Sequence, residues 1–238
     1  MLFLLSGGKM KKLLSYFTKG ELALWFASIA VITISFFIFD REGYLTLIAS
    51  LIGATSLIFN AKGNPIGPFL MIIFGIIYGI ISITFSYYGE MITYVGMTVP
   101  MSFFSFIAWI KNPYKGKLSE VTVNRLKRKD IVGMLVFTVV VTVTFYFILA
   151  AFHTANLLPS TLSVATSFLA VLLTYKRSPY YALVYAANDV VLILLWTLAA
   201  VTDINYLSVI ICFVTFLVND IYGFISWRKM QNKQNEAI

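Results

Sequence analysis

The fold of this chain is indicated by a stretch that occurs twice, FIAWIK at residues 106–111 and FISWRK at residues 224–229. Each copy closes a long apolar segment, and a similar offset superposes the basic turn at Lys62 on Lys176 and Arg177. Recurrence at a fixed offset is typical of internal repeats. We therefore predict two copies of one three-helix unit; the alternative is a similarity due to shared membrane composition and an interfacial tryptophan.

The composition indicates that most of the chain lies in lipid. It is 60% hydrophobic and 12% charged, whereas average soluble domains are about 45–50% apolar and about 25% charged. Apolar runs of about 20 residues can cross a membrane as helices. Eight such spans are predicted, at 22–39, 44–60, 66–86, 90–110, 131–151, 157–175, 178–201 and 204–227. The predicted fold is an all-α integral membrane protein with eight transmembrane helices.

Basic residues are distributed unevenly between the two sides of this predicted bundle. When alternate loops are assigned to opposite sides, 17 of the 18 Lys and Arg residues fall on one side and only Arg41 falls on the other. Because basic residues concentrate in cytoplasmic loops, the N-terminus, the 111–130 loop and the C-terminus are predicted to be cytoplasmic. Topology thus explains the net charge of +8, and no nucleic-acid partner is expected.

The parity of the helices predicts how the two units are joined. A three-helix unit begins and ends on opposite sides, so a second copy in the same orientation needs one extra crossing, which the span at 131–151 supplies. The result is one N-terminal helix followed by a 3+1+3 parallel repeat, as in carriers of the SWEET type. The predicted boundaries are 1–43 for the cytoplasmic N-terminus and extra helix, 44–110 for the first unit, 111–156 for the basic loop and linker helix, 157–230 for the second unit and 231–238 for the cytoplasmic tail.

Polar residues inside the predicted spans are the candidate site. Asn188 and Asp189 lie near the middle of the seventh span, and Asn219 and Asp220 lie in the eighth. Carboxylates at such depth are costly and usually face a bundle interior or water. Counting residues along each span separates the two Asp residues by about 6 Å along the membrane normal. The structural alternative is that these side chains only lock helix packing.

Aromatic and hydroxyl groups at helical spacing extend the candidate site. Rings that stack and polar groups that fix orientation suit a flat heterocycle bearing a hydroxylated sugar. Pro100 interrupts the fourth span and predicts either a hinge for alternating access or a static bend. The predicted substrate-binding residues are Asn188, Asp189, Tyr185, Asn219, Asp220, Tyr222, Tyr94, Thr98, Ser102 and Trp196.

Motifs for most catalytic chemistry are absent from the sequence. It contains no Gly-rich phosphate loop, no H-E-x-x-H and no C-x-x-C, and its single His lies in a predicted external turn. No cofactor and no metal site are therefore expected, and the chain is not predicted to be an enzyme. Two alternatives stay open: an intramembrane aspartyl enzyme whose two Asp residues share a proton, and a membrane subunit that needs a separate ATPase.

Short motifs in a fixed order resemble the Pnu family of bacterial vitamin transporters. They are Asn188, the turn NPYKG at 112–116, the segment DIYGFISW at 220–227 and the 3+1+3 pattern, and they cover about residues 20–230. The resemblance implies uptake of an unphosphorylated vitamin, foremost nicotinamide riboside for NAD biosynthesis, by facilitated diffusion across the bacterial cytoplasmic membrane. It also implies Asn188 as a substrate contact, trapping by a cytoplasmic kinase, and a homotrimer.

Two departures from the family pattern concern positions expected to shape the pocket. The W-x-x-W that precedes the Asn in the family reads YALV at 181–184, and the N-x-Y-G expected in the first unit reads SFFS at 102–105. Thiamine, riboflavin and deoxynucleosides are therefore kept as alternative substrates.

Overall fold

The computed structural model describes residues 15–84, 88–154 and 156–237. Most of the predicted cytoplasmic N-terminus, residues 1–14, lies outside this part of the chain. Within the described ranges, eight helices are long and apolar enough to span a membrane, which confirms the predicted number. They are α1 (Lys19–Phe39), α2 (Tyr44–Ala61), α3 (Ile66–Thr84), α4 (Tyr88–Thr93, Tyr94–Thr98 and Val99–Ile110), α5 (Arg128–Ala151), α6 (Leu157–Tyr175), α7 (Tyr180–Ala200) and α8 (Leu207–Glu236).

The extra helix α1 is fastened to the bundle at its first turn. Thr18 caps the helix, accepting a hydrogen bond from the backbone N–H of Glu21 and donating its own N–H to the Glu21 carboxylate. The same carboxylate, which is 4% exposed, accepts from Lys62 Nζ at 3.0 Å and from the Tyr222 hydroxyl at 3.1 Å. Glu21 therefore joins α1 to the turn after α2 and to α8.

Helices α2 and α6 end in turns of the same geometry. Each chain reversal has one residue with positive φ, Gly63 at 64° and Arg177 at 57°. In each turn two N–H groups close back on the last helical carbonyls, which satisfies groups that a helix end would otherwise leave without partners. These turns lie at the same end of the bundle as the loop at 111–127, and we name this end the basic face.

We call α2–α4 the first half of the bundle and α6–α8 the second half. The tryptophan at the end of each half donates a hydrogen bond to the other half. Trp109 Nε1 donates to the Thr174 carbonyl of α6 at 2.9 Å, and Trp227 Nε1 donates to the Asn60 carbonyl of α2 at 2.7 Å. Their rings meet at a centroid distance of 5.3 Å. Correspondingly, α4 packs against α6 and α8 packs against α2. The last helix of each half thus rests on the first helix of the other.

Small residues on α3 let α4 approach closely. A Cβ atom added at Gly75 would lie 2.8 Å from Val99 Cγ2, and one added at Gly79 would overlap Val95 Cγ2. Opposite these glycines, residues Tyr94–Thr98 of α4 form a π-helical turn. It lies just before Pro100, which has no N–H to donate to the preceding turn. The wider turn is one way in which a helix accommodates such an interruption.

The sequence suggested that the segment between α4 and α5 is only a loop, but part of it forms a hairpin. Pro113–Tyr114 and Lys117–Val121 form a two-stranded antiparallel hairpin, β1 and β2. We name residues 117–124 the strap, because its backbone N–H groups bond to the carbonyls of both matching turns. Val121 donates to Gly63 at 2.9 Å and Asn124 donates to Arg177 at 3.0 Å. Charge and polarity alone did not predict this, since the partners are remote in sequence.

Candidate functional site

A cavity lies between the two halves of the bundle. It leaves about 120 Å³ of space to the centres of water-sized molecules, and about 10–15 Å³ is enough for one water. It is therefore large enough for a small organic molecule. Its lining combines hydroxyl, amide, carboxyl and aromatic groups: Gly53, Leu57, Asn60, Met71, Phe74, Thr93, Tyr94, Thr98, Leu149, Thr154, Ser160, Ser163, Val164, Ser167, Val171, Tyr185, Asn188, Asp189, Leu192, Leu195, Trp196, Phe213, Phe216 and Asp220.

Asn188 is held in place by three hydroxyl groups of α6. Its Oδ1 atom accepts hydrogen bonds from Thr166 at 2.8 Å, Ser167 at 3.0 Å and Ser163 at 3.2 Å. The donors stand three and four residues apart, so they share one face of α6. Since Asn188 is 5% exposed, this cluster fixes the orientation of its amide at the cavity wall.

Asp189 and Asp220 meet in the same cavity. Both are 4% exposed, and their carboxyl groups lie close enough to interact directly. The expectation that a depth difference of about 6 Å keeps them apart is therefore wrong. Side chains lean toward the N-terminus of their helix, and α7 and α8 run in opposite directions. Asp189 consequently leans toward the basic face and Asp220 leans away from it, so the two carboxyl groups converge.

Seven of the ten predicted contacts line the cavity, namely Tyr94, Thr98, Tyr185, Asn188, Asp189, Trp196 and Asp220. The other three lie outside its lining. Asn219 Nδ2 donates to Ser28 Oγ of α1 at 2.8 Å, and the Tyr222 hydroxyl donates to Glu21. Ser102 is 3% exposed within α4. Asn219 and Tyr222 therefore hold α1 against α8 in this structure.

Sequence reasoning missed several residues of the lining. The hydroxyl groups of Ser163 and Ser167, with Thr166 beside them, could have been found from their spacing on one face of an apolar span. Phe74 and Phe216 carry no comparable signal, because apolar aromatics are frequent throughout this sequence. The departures at 181–184 do not reach the lining: Tyr181 is 1% exposed and packs on Trp227 at a ring distance of 5.0 Å.

The cavity is closed toward the basic face and continues toward the opposite face. On the basic side lie Trp109 and Trp227, both 0% exposed, together with Tyr181. On the other side the lining reaches Thr154 and Ser160, which flank the start of α6. The cavity lining therefore extends toward the face that carries few basic residues.

No basic side chain lines the cavity in the part of the chain that the structure describes. The described residues contain two ion pairs, Glu21 with Lys62 and Asp130 with Lys176, and none of these four residues lines the cavity. Groups of three or more His, Cys, Asp or Glu residues arranged for a metal ion are also absent from the described residues. The chemistry of the cavity is thus that of hydrogen-bond acceptors, hydroxyls and aromatic rings.

Comparison with known proteins shows relatives of similar length. The chain is 27% identical over 217 residues to the nicotinamide riboside transporter PnuC of Neisseria mucosa, which covers 90% of this chain and 82% of the relative. It is 24% identical over 213 residues to the nicotinamide riboside transporter PnuC of Haemophilus influenzae, with 89% and 91% covered.

A solved structure and a family profile complete the comparison. The crystal structure of the vitamin B3 transporter PnuC superposes with a TM-score of 0.78 at 23% identity, covering 92% of this chain and 94% of that chain. This likeness shows that the fold is shared. The profile of the family described as nicotinamide mononucleotide transporter matches residues 43–229. The chain therefore belongs to the nicotinamide mononucleotide transporter family.

Proposed function

We propose that this protein carries nicotinamide riboside into bacterial cells by facilitated diffusion. Membership of a transporter family makes it a carrier rather than an enzyme, so the meeting of Asp189 and Asp220 is assigned to transport and not to peptide cleavage. The relatives named above are nicotinamide riboside transporters. The single observation that carries the proposal is the composition of the cavity between the two halves.

The cavity walls match the two parts of a nicotinamide riboside molecule. One wall carries the fixed amide of Asn188 and the hydroxyls of Ser163 and Ser167, which suit the ribose hydroxyls and the carboxamide. Another carries aromatic rings, among them Tyr94 and Trp196, on which a flat pyridine ring can stack. A small ligand is usually held in this way, by apolar surfaces for affinity and a few polar groups for orientation.

The same composition favours the riboside over the mononucleotide that gives the family its name. A phosphate group carries about two negative charges near neutral pH and binds best to Arg, Lys or helix N-termini. The described cavity lining has no Arg or Lys, and it has two carboxyl groups, Asp189 and Asp220. A phosphorylated ligand would therefore face repulsion without compensation, which is an effective way to exclude it.

We further propose that residues 44–110 and 157–230 are the two moving units. The matching turns at Gly63 and Arg177, the exchanged tryptophan bonds and the crossed packing of α4 and α8 support a parallel repeat of three helices each. In this arrangement residues 1–43 provide the extra helix, 111–156 the strap and linker helix, and 231–238 the tail. Relative rocking of two such units would expose a site near the midplane alternately to each side.

The orientation and partners follow from the same proposal. The concentration of Lys and Arg on the basic face supports a cytoplasmic location for that face and for both termini, in a bacterial cytoplasmic membrane. The cavity then reaches the external side in this structure, as expected of a carrier ready to receive substrate. A cytoplasmic kinase that phosphorylates the riboside would prevent its return, and a homotrimer is proposed as the assembly.

The test is binding and uptake with the purified full chain. We expect nicotinamide riboside to bind saturably and to enter proteoliposomes, and nicotinamide mononucleotide to do neither. Asn188→Leu removes the oriented amide and leaves the hydroxyls of Ser163 and Ser167 without their acceptor, so the dissociation constant should rise at least about tenfold. The matched control is Asn205→Leu, the same exchange at an exposed position of the α7–α8 turn.

Two results would contradict the proposal. If wild-type protein binds the mononucleotide as tightly as the riboside, the charge argument about the phosphate is wrong. If Asn188→Leu, expressed and folded like the control, takes up the riboside at the wild-type rate, the cavity is not the substrate site.

A further inference from the structure

We propose that the paired carboxyl groups of Asp189 and Asp220 supply one negative charge to a cationic ligand and so make the cavity select a heterocycle with one positive charge over a neutral heterocycle of the same shape. The inference rests on the proposed function and narrows its substrate class. It orders the substrates that the sequence left open, because nicotinamide riboside and thiamine have a positively charged ring whereas riboflavin and deoxynucleosides do not.

The largest charge that the pair can carry follows from the closeness of the two side chains. An ionised carboxylate can only accept hydrogen bonds, so two carboxyl groups in contact are compatible only if at least one of them keeps its proton. Two ionised carboxylates in contact inside a membrane would lose their hydration and repel each other. Asp189 and Asp220 therefore keep at least one proton between them, and no more than one negative charge can form on the pair.

That charge has no internal partner among the residues that the structure describes. The titratable side chains that face the pair are Tyr181 and Tyr185 on α7 and Cys212 on α8, all neutral groups. Asp189 Oδ2 is buried and accepts no hydrogen bond from a described donor. A buried carboxylate without a partner is costly, and a cation in the cavity would remove that cost.

The aromatic side chains of the cavity wall also favour a positively charged ligand. The rings of Tyr185, Trp196 and Phe216 line the same space. Aromatic faces attract cations through their quadrupoles, so rings and carboxyl groups favour the same charge on a flat ligand.

The reduced form of the substrate separates charge from shape. In 1,4-dihydronicotinamide riboside the ring has gained a hydride, so it keeps the ribose and the carboxamide but has lost the positive charge. We would measure both compounds by calorimetry on the purified full chain. Wild-type protein should bind the cation at least about tenfold more tightly than the neutral form, as expected when a buried charge loses its partner.

Replacement of both carboxyl groups tests whether this pair carries the selectivity. The double variant Asp189→Asn with Asp220→Asn exchanges one oxygen for an amide nitrogen in each side chain at nearly constant size and leaves no ionisable group in the pair, so it should bring the ratio of the two dissociation constants close to one. Glu42→Gln removes a carboxylate from the exposed α1–α2 turn and should leave that ratio at the wild-type value. The wild-type ratio itself needs no variant, so a poorly folded mutant does not remove the test.

The outcomes distinguish the inference from the proposed function. Equal affinity of wild-type protein for the charged and neutral ribosides would overturn charge selection and leave riboside transport standing. A preference for the cation that persists in the folded double variant would overturn the assignment to this pair. Binding of neither riboside would overturn the proposed function together with the inference.

Discussion

Replacing Gly75 by Ala tests the close approach of α3 and α4. The new Cβ atom would lie 2.8 Å from Val99 Cγ2, whereas carbon atoms in contact prefer about 3.5–4.0 Å. Valine in a helix has one strongly preferred rotamer, so Val99 cannot simply turn away. The two helices must therefore separate or shift by nearly 1 Å.

The expected cost can be worked out against a matched glycine. Overpacking a tight contact costs about 1–3 kcal/mol, while Ala in a helix gains about 0.5–1 kcal/mol over Gly. Gly75→Ala should therefore lower the free energy of unfolding by about 0–2.5 kcal/mol, which is about 1–3 kcal/mol below an alanine that meets no clash. Gly133 lies in α5 with nothing within 4 Å of an added Cβ, so Gly133→Ala should raise it by about 0.5–1 kcal/mol.

Thermal unfolding of the purified protein in detergent measures both effects. For a chain of this size about 1 kcal/mol corresponds to a change in Tm of about 2–4 °C. The double variant Gly75→Ala with Val99→Ala removes the methyl group that is struck, so it should recover most of the loss. The reasoning is refuted if Gly75→Ala is as stable as Gly133→Ala, or if shortening Val99 restores nothing.

Two further predictions concern the contacts that close the bundle. Trp227→Phe keeps a ring in place but loses the hydrogen bond to the Asn60 carbonyl, so unfolding should become easier by about 1 kcal/mol; a Tm equal to that of wild type would contradict this. Glu21→Gln removes the charge that Lys62 and the Tyr222 hydroxyl share, at a cost of about 1.5–3 kcal/mol. Because Glu21 is buried, salt screens this pair little and the loss should change little at high salt; a variant that unfolds together with the wild type would argue against the ion pair.

Hydrophobic length predicted the helices well because lipid leaves the backbone no other partner than itself. The eight spans therefore appear at nearly the predicted positions. The end of α8 was placed at residue 227, yet the helix continues to Glu236. Its last turns are polar, and their position depends on Gln234, which bonds to Val121 and Val123 of the strap. Such distant partners leave no periodic pattern.

The sequence identified polar residues inside the apolar spans, but it did not show which of them face the cavity and which bond to a neighbouring helix. Asn188 and Asp189 stood out as polar residues in mid-span, and the structure places both at the cavity. Asn219 stood out in the same way, but its amide bonds to Ser28. Sequence could not distinguish the two cases, since it does not show which helix α8 meets. The convergence of Asp189 with Asp220 depended on side-chain direction, which counting residues ignores.

The strap also constrains the order in which the protein can be completed during synthesis. Its N–H groups bond to a carbonyl made earlier, that of Gly63, and to one made later, that of Arg177. The side chain of Gln234, near the end of α8, accepts a hydrogen bond from the Val123 N–H and donates one to the Val121 carbonyl. The ribosome must therefore synthesise the chain as far as Gln234 before all of these groups have partners. Until then, only some of the strap's backbone groups can be hydrogen-bonded to other segments.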